Sequence, residues 1–338
     1  MTQVEELVQL KEKNTFGIDS LADYFIKLST VGDVKEFVNN KRYKQASFFV
    51  LGGGSNILFT GNFKGTIVKP DIKGIDIIAE DDSHVEVKVG AGEDWDNFVA
   101  WTVDNDLGGI ENLSKIPGTV GASPIQNIGA YGVEVKDTIL AVEGFFISNG
   151  KPFKVGNFDC EFGYRTSIFK TKYYGNAIIT HVIFRFNKIH DYKTTYGSIE
   201  NELKKIGEIN QVNIRQAIVN IRNEKLPDPA VIGNAGSFFK NPVVNAGKAM
   251  RLKDSYPDIP LYTVNKKASK IAAAWLIEQC GWKGKRIGDA GVHDKQPLVL
   301  VNYGNAKGLD ILDLAHKIQE SIRDKFEIEI EIEVNVVV

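Results

Sequence analysis

The spacing of apolar residues divides the chain into short strand-like runs and helical periods that alternate along most of its length. Residues 33–44, DVKEFVNNKRYK, repeat apolar positions at helical spacing, SFFVL (47–51) reads as a strand, and GTIVKP (65–70) closes a small α/β lobe. Two further strands, GIDIIAE (74–80) and HVEVKVGAG (84–92), precede an amphipathic segment at 94–106 that puts Trp95, Phe98, Val99 and Thr102 on one face. Residues 108–132 are rich in Gly, Pro, Asn and Ser, and so long a loop inside a compact domain is usually functional. Strands resume at 137–148, turning at Asn149-Gly150, and at 176–187, with CEFGYRTSIFK (160–170) between them. A helix over 212–226 stops at Pro227, and LPDPAVIGNAG (226–236) reads as an interdomain crossing. The last lobe is helix-rich: 266–280 capped by Gly281, a strand at 297–302, and a helix at 308–326. It ends in EIEIEIEVNVVV (327–338), which alternates as a strand would.

Composition narrows the class. At 338 residues the chain has room for two or three domains. Apolar residues at 43%, charged residues at 25% and a formal net charge of -2 imply neither a polyanion nor a membrane surface as partner. Lys and Arg form no block beyond short pairs such as Lys266-Lys267, so a nucleic-acid footprint is missing. The amino-terminal residues lack the apolar core of a signal peptide and no run approaches a membrane span, which makes the cytoplasm the expected location. Cys160 and Cys280 are far apart and the five histidines are scattered, so neither a disulfide framework nor a metal site is expected.

Candidate chemistry lies in the glycine clusters. LGGGSN (51–56) follows a strand and lets backbone amides approach an anion, although it reads equally as a turn between strands. A Rossmann fingerprint would open a helix, and ILFTGNFKG continues instead as strand and turn. KIPGTVGASPIQNIGAYG (115–132) holds few charges, so backbone donors must do most of any binding there. Two anion cradles on a non-Rossmann α/β scaffold suit a dinucleotide such as FAD. In GNAGSFFKNP (233–242), Ser237 has no neighbouring histidine or acid and is a poor acyl-transfer nucleophile; it is a proton donor or a turn serine. Arg165, in GYRTS, suits a carboxylate or phosphate clamp, and equally an interdomain salt bridge.

Taken in order, NTFGI (14–18), LGGGSNILF (51–59), IPGTVGASPIQNIGAYGVE (116–134), FGYRTSIFK (162–170), KLPDPAVIGNAGSFFKNP (225–242) and AAWLIEQCGWKG (273–284) resemble the UDP-N-acetylenolpyruvoylglucosamine reductases. The resemblance spans nearly the whole chain, and TTYGS (194–198) is similar to the added tyrosine-bearing loop of the type I subclass, which would put Tyr196 over the bound nucleotide. It implies an α+β, three-domain flavoprotein. Residues 1–70, and 71–226 with 327–338, would form a vanillyl-alcohol-oxidase-like (PCMH-type) FAD-binding fold, and 227–326 an α/β substrate-binding domain.

The same resemblance implies FAD and NADPH as cofactors and the enolpyruvyl ether of a UDP-sugar as substrate, in a monomer without nucleic-acid or membrane partners. By matching motifs, Arg165, Ser237 and Glu333 correspond to catalytic residues, and Tyr131, Tyr196, Lys225, Asn241 and Gln296, with Arg165 and Ser237, to substrate positions. Flavin contacts would come from Gly52, Gly53, Gly54, Ser55 and Asn56 in the first cluster, and from Arg222. The second cluster would add Ile116, Pro117, Gly118, Gly121, Ala122, Ser123, Gln126, Asn127, Gly129 and Ala130. NADPH would reduce the flavin, hydride would pass to the enol ether, Arg165 and Glu333 would stabilise the enolate, and Ser237 would protonate it. Two positions depart from the family pattern, Ile332 standing where Pro is common and Asn335 where Arg is. The alternation of Glu327, Glu329, Glu331 and Glu333 also permits a plain solvated strand face.

Overall fold

The computed structural model describes residues 4–40 and 47–338; of the helix expected over 33–44, residues 41–44 lie outside this range. Helix Val31–Asn39 begins where Thr30 and Asp33 form a reciprocal capping box, which satisfies donors that the first turn leaves unpaired. Two compact units emerge. The first comprises Met1–Val8, Ala22–Gly53 and Lys64–Glu224, the second Gln9–Leu21, Gly54–Phe63 and Lys225–Val338. Residues 9–21 and 54–63 of the expected first lobe therefore belong to the second unit, as does the terminal segment 327–338.

In the first unit, a five-stranded sheet runs in the order Pro152–Gly156, Ile139–Phe146, Ala177–Asn187, His84–Gly90, Ile75–Glu80. Its central strand is a run of β-branched and aromatic residues, with Ile178, Ile179, Val182, Ile183, Phe184 and Phe186 all buried, as a strand covered on both faces requires. Helix Trp95–Asp104, capped by the Asp94 carboxylate on the Asn97 amide at 2.9 Å, lays Trp95, Phe98 and Val99 against this sheet and buries Thr102 as well. Phe98 sits 4.9 Å from Phe184, centroid to centroid, and burying such a ring contributes about 1.5–3 kcal/mol. A second core gathers Val34, Phe37 and Val38 of the first helix with Ile26, Leu28, Val68, Phe145 and Ile178. Leu21–Leu28, which the periodicity did not reveal, lies inside a four-stranded sheet between Val4–Gln9 and Phe63–Pro70, with Phe48–Val50 parallel to the latter.

The second unit is built on an antiparallel sheet ordered Gly233–Ser237, Val299–Asn302, Ala290–Val292, Arg286–Ile287. Helix Gly308–Phe326 has the expected bounds and buries Ile311, Leu314, Ala315, Ile318, Ile322 and Phe326. Two expectations are corrected. The helix expected over 266–280 is a strand, Ala268–Ile271, followed by a shorter helix, Ala273–Gln279, because 268–271 pairs with both Val243–Asn245 and Leu261–Asn265. The terminal alternating segment forms a strand only at Asn335–Val337, parallel to Ile57–Phe59. No helix among the described residues is long and apolar enough to cross a membrane.

Candidate active site

Within the first unit the two glycine loops meet backbone to backbone. A Cβ on Gly53 would lie 2.7 Å from the Gly118 Cα, and one on Gly52 would lie 3.1 Å from the Thr119 hydroxyl. Among the described residues the Gly52 and Gly53 amides have no backbone partner, so they can turn toward an anion. In the second loop some amides are already committed to protein atoms. Gly121, Ala122 and Ser123 donate to the carbonyls of Ala91, Thr119 and Val120 at 2.9, 3.0 and 3.1 Å. Ser123 and Asn127 are 1% and 0% exposed. These residues shape the loop with their own hydrogen bonds. Uncommitted amides at Gly52 and Gly53, with the Gly118 backbone too close to admit a Cβ on Gly53, suit the pyrophosphate of FAD.

Arg165 sits at a tight turn in which Gly163 and Thr166 exchange backbone hydrogen bonds at 3.0 and 3.3 Å. Its φ of 56° is left-handed, and its Nη2 donates to the Gly129 carbonyl at 2.7 Å. Gly129–Ala130 pairs with Val133–Glu134 across a two-residue turn whose central residues, Tyr131 and Gly132, have φ of 50° and 83°, the signature of a primed hairpin turn. Tyr131 packs edge-on against Tyr196, with centroids 6.3 Å apart. Burial holds the Tyr131 phenol above its ordinary value, against the pull of a hydrogen bond from Arg222. Burial likewise lowers the Arg222 guanidinium from its ordinary value, with Tyr131 opposing.

Sequence reasoning gave no weight to Asp96 and Arg215, which the structure places behind this group. Arg222 Nε donates to the Lys115 carbonyl at 3.2 Å, and the Lys115 amide donates to Asp96 Oδ1 at 2.5 Å. Arg215 grips both Asp96 oxygens, at 2.5 and 3.1 Å. Burial pushes the Asp96 carboxyl up, but Arg215 and the Lys115 amide outweigh it and hold the carboxyl below its usual range. Lys115, Asn127, Tyr131 and Arg165 all have left-handed φ without being glycine. Such backbone strain persists only where the surroundings over-determine it, and it clusters at functional sites.

In the second unit the structure brings Ser237 and Glu333 together. Ser237 ends a strand whose register slips before it, after Gly236 at φ 69°, and its side chain is exposed. The buried pair Phe238 and Phe239 anchors the next two residues. The Glu333 amide donates to the Phe238 carbonyl at 2.8 Å, Phe239 bridges Ile332, and the Lys240 amide reaches the Glu331 carbonyl at 2.9 Å. The solvated-face alternative fails at Glu333. Glu327, Glu329 and Glu331 are exposed and Ile328 and Ile330 buried, but the phase then slips, and Glu333 is 9% exposed beside buried Val334.

The remaining second-unit candidates divide by how far their own contacts occupy them. Gly54 has φ 68°, and a Cβ there would fall 2.1 Å from the Lys13 carbonyl. Ser55 and Asn56 follow it, and Asn335 donates to the Asn56 carbonyl from its backbone and its side chain, at 3.1 and 2.9 Å, so the departing residue ties the terminal strand to the glycine turn. Asn241 Oδ1 accepts from the Ala273 amide at 2.9 Å, at the start of the helix there. The Gln296 amide donates to His293 Nδ1 at 3.2 Å, and Lys225 is exposed at the end of helix Gln211–Lys225.

Comparison with known proteins accords with this geometry. The FAD binding domain family model matches residues 22–156, which contain both glycine loops, and together with the reductases that the chain matches along its length this places it among FAD-dependent oxidoreductases. The model for the UDP-N-acetylenolpyruvoylglucosamine reductase C-terminal domain matches residues 228–337, which hold Ser237 and Glu333. The chain is 45% identical over 338 residues to the UDP-N-acetylenolpyruvoylglucosamine reductase of Flavobacterium johnsoniae, covering 99% of this chain and 100% of that one. To the Bacteroides fragilis protein of the same name it is 46% identical, covering 98% and 99%. The crystal structure of UDP-N-acetylenolpyruvylglucosamine reductase from Thermus caldophilus superposes with a TM-score of 0.70 at 25% identity, covering 100% of both chains. The chain belongs to the UDP-N-acetylenolpyruvoylglucosamine reductase family.

Proposed function

We propose that this enzyme reduces UDP-N-acetylglucosamine enolpyruvate to UDP-N-acetylmuramate in peptidoglycan precursor synthesis, with NADPH as reductant. Bound FAD, once reduced, supplies the hydride for the terminal carbon of the enol ether. Every other task falls to side chains. Hydride addition drives negative charge into the substrate carboxylate, and an arginine fork held in one orientation stabilises it there. Arg165, half-buried at its tight turn with one nitrogen fixed on the Gly129 carbonyl, suits that task. Glu333 adds a second contact to the enolate, and the Ser237 hydroxyl gives its proton to the adjacent carbon, leaving a lactyl ether. Solvent access to Ser237 lets it recover the proton.

Tyr131 and Tyr196, already packed edge-on against one another, would hold the nucleotide as in the tyrosine-loop subclass. Lys225, Asn241 and Gln296 would complete recognition of the UDP-sugar. The observation that carries the reading is the pairing of 238–240 with 331–333, which seats an exposed Ser237 one residue from the backbone anchor of a buried Glu333.

The test is anaerobic stopped-flow absorbance. NADPH should bleach the flavin of the wild-type and Ser237→Ala proteins alike, and the enol ether should restore the colour of the wild type. In Ser237→Ala, turnover should fall by about 10² or more, as for loss of a positioned acid. Turnover within a few-fold of wild type would remove Ser237 from the proton step.

A further inference from the structure

Arg165 lies in the middle of a segment stitched at three points to the loop that family resemblance assigns to flavin. Ser167 Oγ donates to the Ile125 carbonyl at 2.6 Å, on the carboxyl side of the turn. Arg165 itself donates to the Gly129 carbonyl. On the amino side the grip comes from Asn127, whose Nδ2 donates to the Gly163 carbonyl at 3.0 Å and to Glu134 Oε2 at 3.2 Å. Its Oδ1 accepts the Lys136 amide at 3.1 Å.

Asn127 is 0% exposed and holds a left-handed φ of 48°, which asparagine tolerates better than most residues. Both ends of its side-chain amide are thus committed to protein atoms. A side chain so enclosed is badly placed to touch a cofactor and well placed to fix what it holds. The Gly163 carbonyl belongs to the pair that closes the Arg165 turn. Glu134, its other acceptor, is ion-paired to Lys136 at 2.5 Å and sits on the strand opposite Gly129.

We infer that Asn127 is a positioning residue for Arg165: it locks the Gly163–Thr166 turn onto the 125–129 loop and so aims the guanidinium at the substrate carboxylate, instead of contacting FAD. This rests on the role of Arg165 given under Proposed function. Without the Gly163 bond the turn loses its grip on the amino side, leaving the Ser167 bond and the guanidinium's own bond to Gly129, and a guanidinium displaced by ~1 Å loses about 10²-fold in a geometry-dependent step.

The experiment compares Asn127→Gly, Arg165→Lys and the double variant. Glycine keeps the left-handed backbone and removes only the side chain; Asn127→Asp, which keeps the acceptor and loses the donor, is a second variant should the first fold poorly. Three readouts are taken: FAD affinity of the apoprotein by flavin fluorescence, the two half-reactions by stopped flow, and binding of the enol ether against UDP-N-acetylglucosamine, which lacks the carboxylate, by flavin absorbance.

The expected result is wild-type FAD affinity and NADPH bleaching, re-oxidation by the enol ether slowed 10-fold to 10²-fold, and loss of the preference for the carboxylate-bearing ligand. The double variant should be no slower than Arg165→Lys, because both changes remove one function. Weakened FAD binding with normal re-oxidation would overturn the inference and make Asn127 a flavin contact. Additive effects would show that Asn127 acts independently of Arg165. Normal re-oxidation in Arg165→Lys would overturn the role of Arg165, and the inference with it.

Discussion

Gly53→Ala tests whether the contact between the glycine loops is what admits FAD. Gly53 has no left-handed φ, so alanine is allowed by its backbone and the effect is steric alone. The added methyl would lie 2.7 Å from the Gly118 Cα, and relief to the 3.4 Å at which ordinary contact begins requires the loops to part by ~0.7 Å. Neither side can yield by turning a side chain, because the obstruction is backbone. Overpacking of this kind costs about 1–3 kcal/mol.

That cost must appear either as lost fold stability, if the loops stay together, or as lost FAD affinity, if they part. Gly53 is exposed in a loop, so parting is the easier response. We expect the FAD dissociation constant to rise roughly 5-fold to 10²-fold at nearly unchanged apoprotein melting temperature. Fluorescence titration of apoprotein with FAD measures the first and calorimetry the second. Gly61→Ala is the control, since no atom lies within 4 Å of its added methyl. Unchanged affinity together with unchanged melting in Gly53→Ala would refute the argument.

Two further outcomes are expected. Asp96→Asn should lose roughly 1–3 kcal/mol at pH 7 by urea denaturation, between the value of an exposed pair and that of a buried one, as side-chain exposures of 31% and 21% imply. Because the folded Asp96 carboxyl lies below its unfolded value, this increment is present above about pH 4 and is lost as pH falls through the folded value, so wild type and variant should converge in acid; a constant gap down to pH 2 would count against the pairing. At Glu333, substitution by Gln, which keeps a donor, should retain more steady-state activity than Asp, which shortens the reach, or Ala, which removes it; full activity in Glu333→Ala would make the terminal segment purely structural.

What the sequence could disclose followed the range of the interactions that decide each element. Helix Gly308–Phe326 was legible end to end because its burial repeats at helical spacing, so local pattern and tertiary packing agree. At 266–280 they do not: Ala268 and Ser269 accept either conformation, and pairing with strands on both sides makes 268–271 a strand, which leaves only Ala273–Gln279 helical. EIEIEIEV is an ideal strand pattern, yet among the described residues it forms up to Val334 only an isolated bridge, of Ile332 with Phe239, because pattern cannot supply a continuous partner strand.

The site divides in the same way. Glycine clusters and Arg165 in GYRTS stand out locally, since residue type alone marks a close approach or a fork. Asp96 and Arg215 are 119 residues apart and Asn127 and Gly163 are 36 apart, so nothing beside any of them signals the bond. Asn127 lies inside a motif assigned as a whole to the flavin, and nothing beside it in the sequence signals that both ends of its side-chain amide bond to protein atoms. A motif therefore marks where a site is, while the division of its residues between touching a ligand and holding the residues that do is settled by hydrogen bonds the chain makes at a distance.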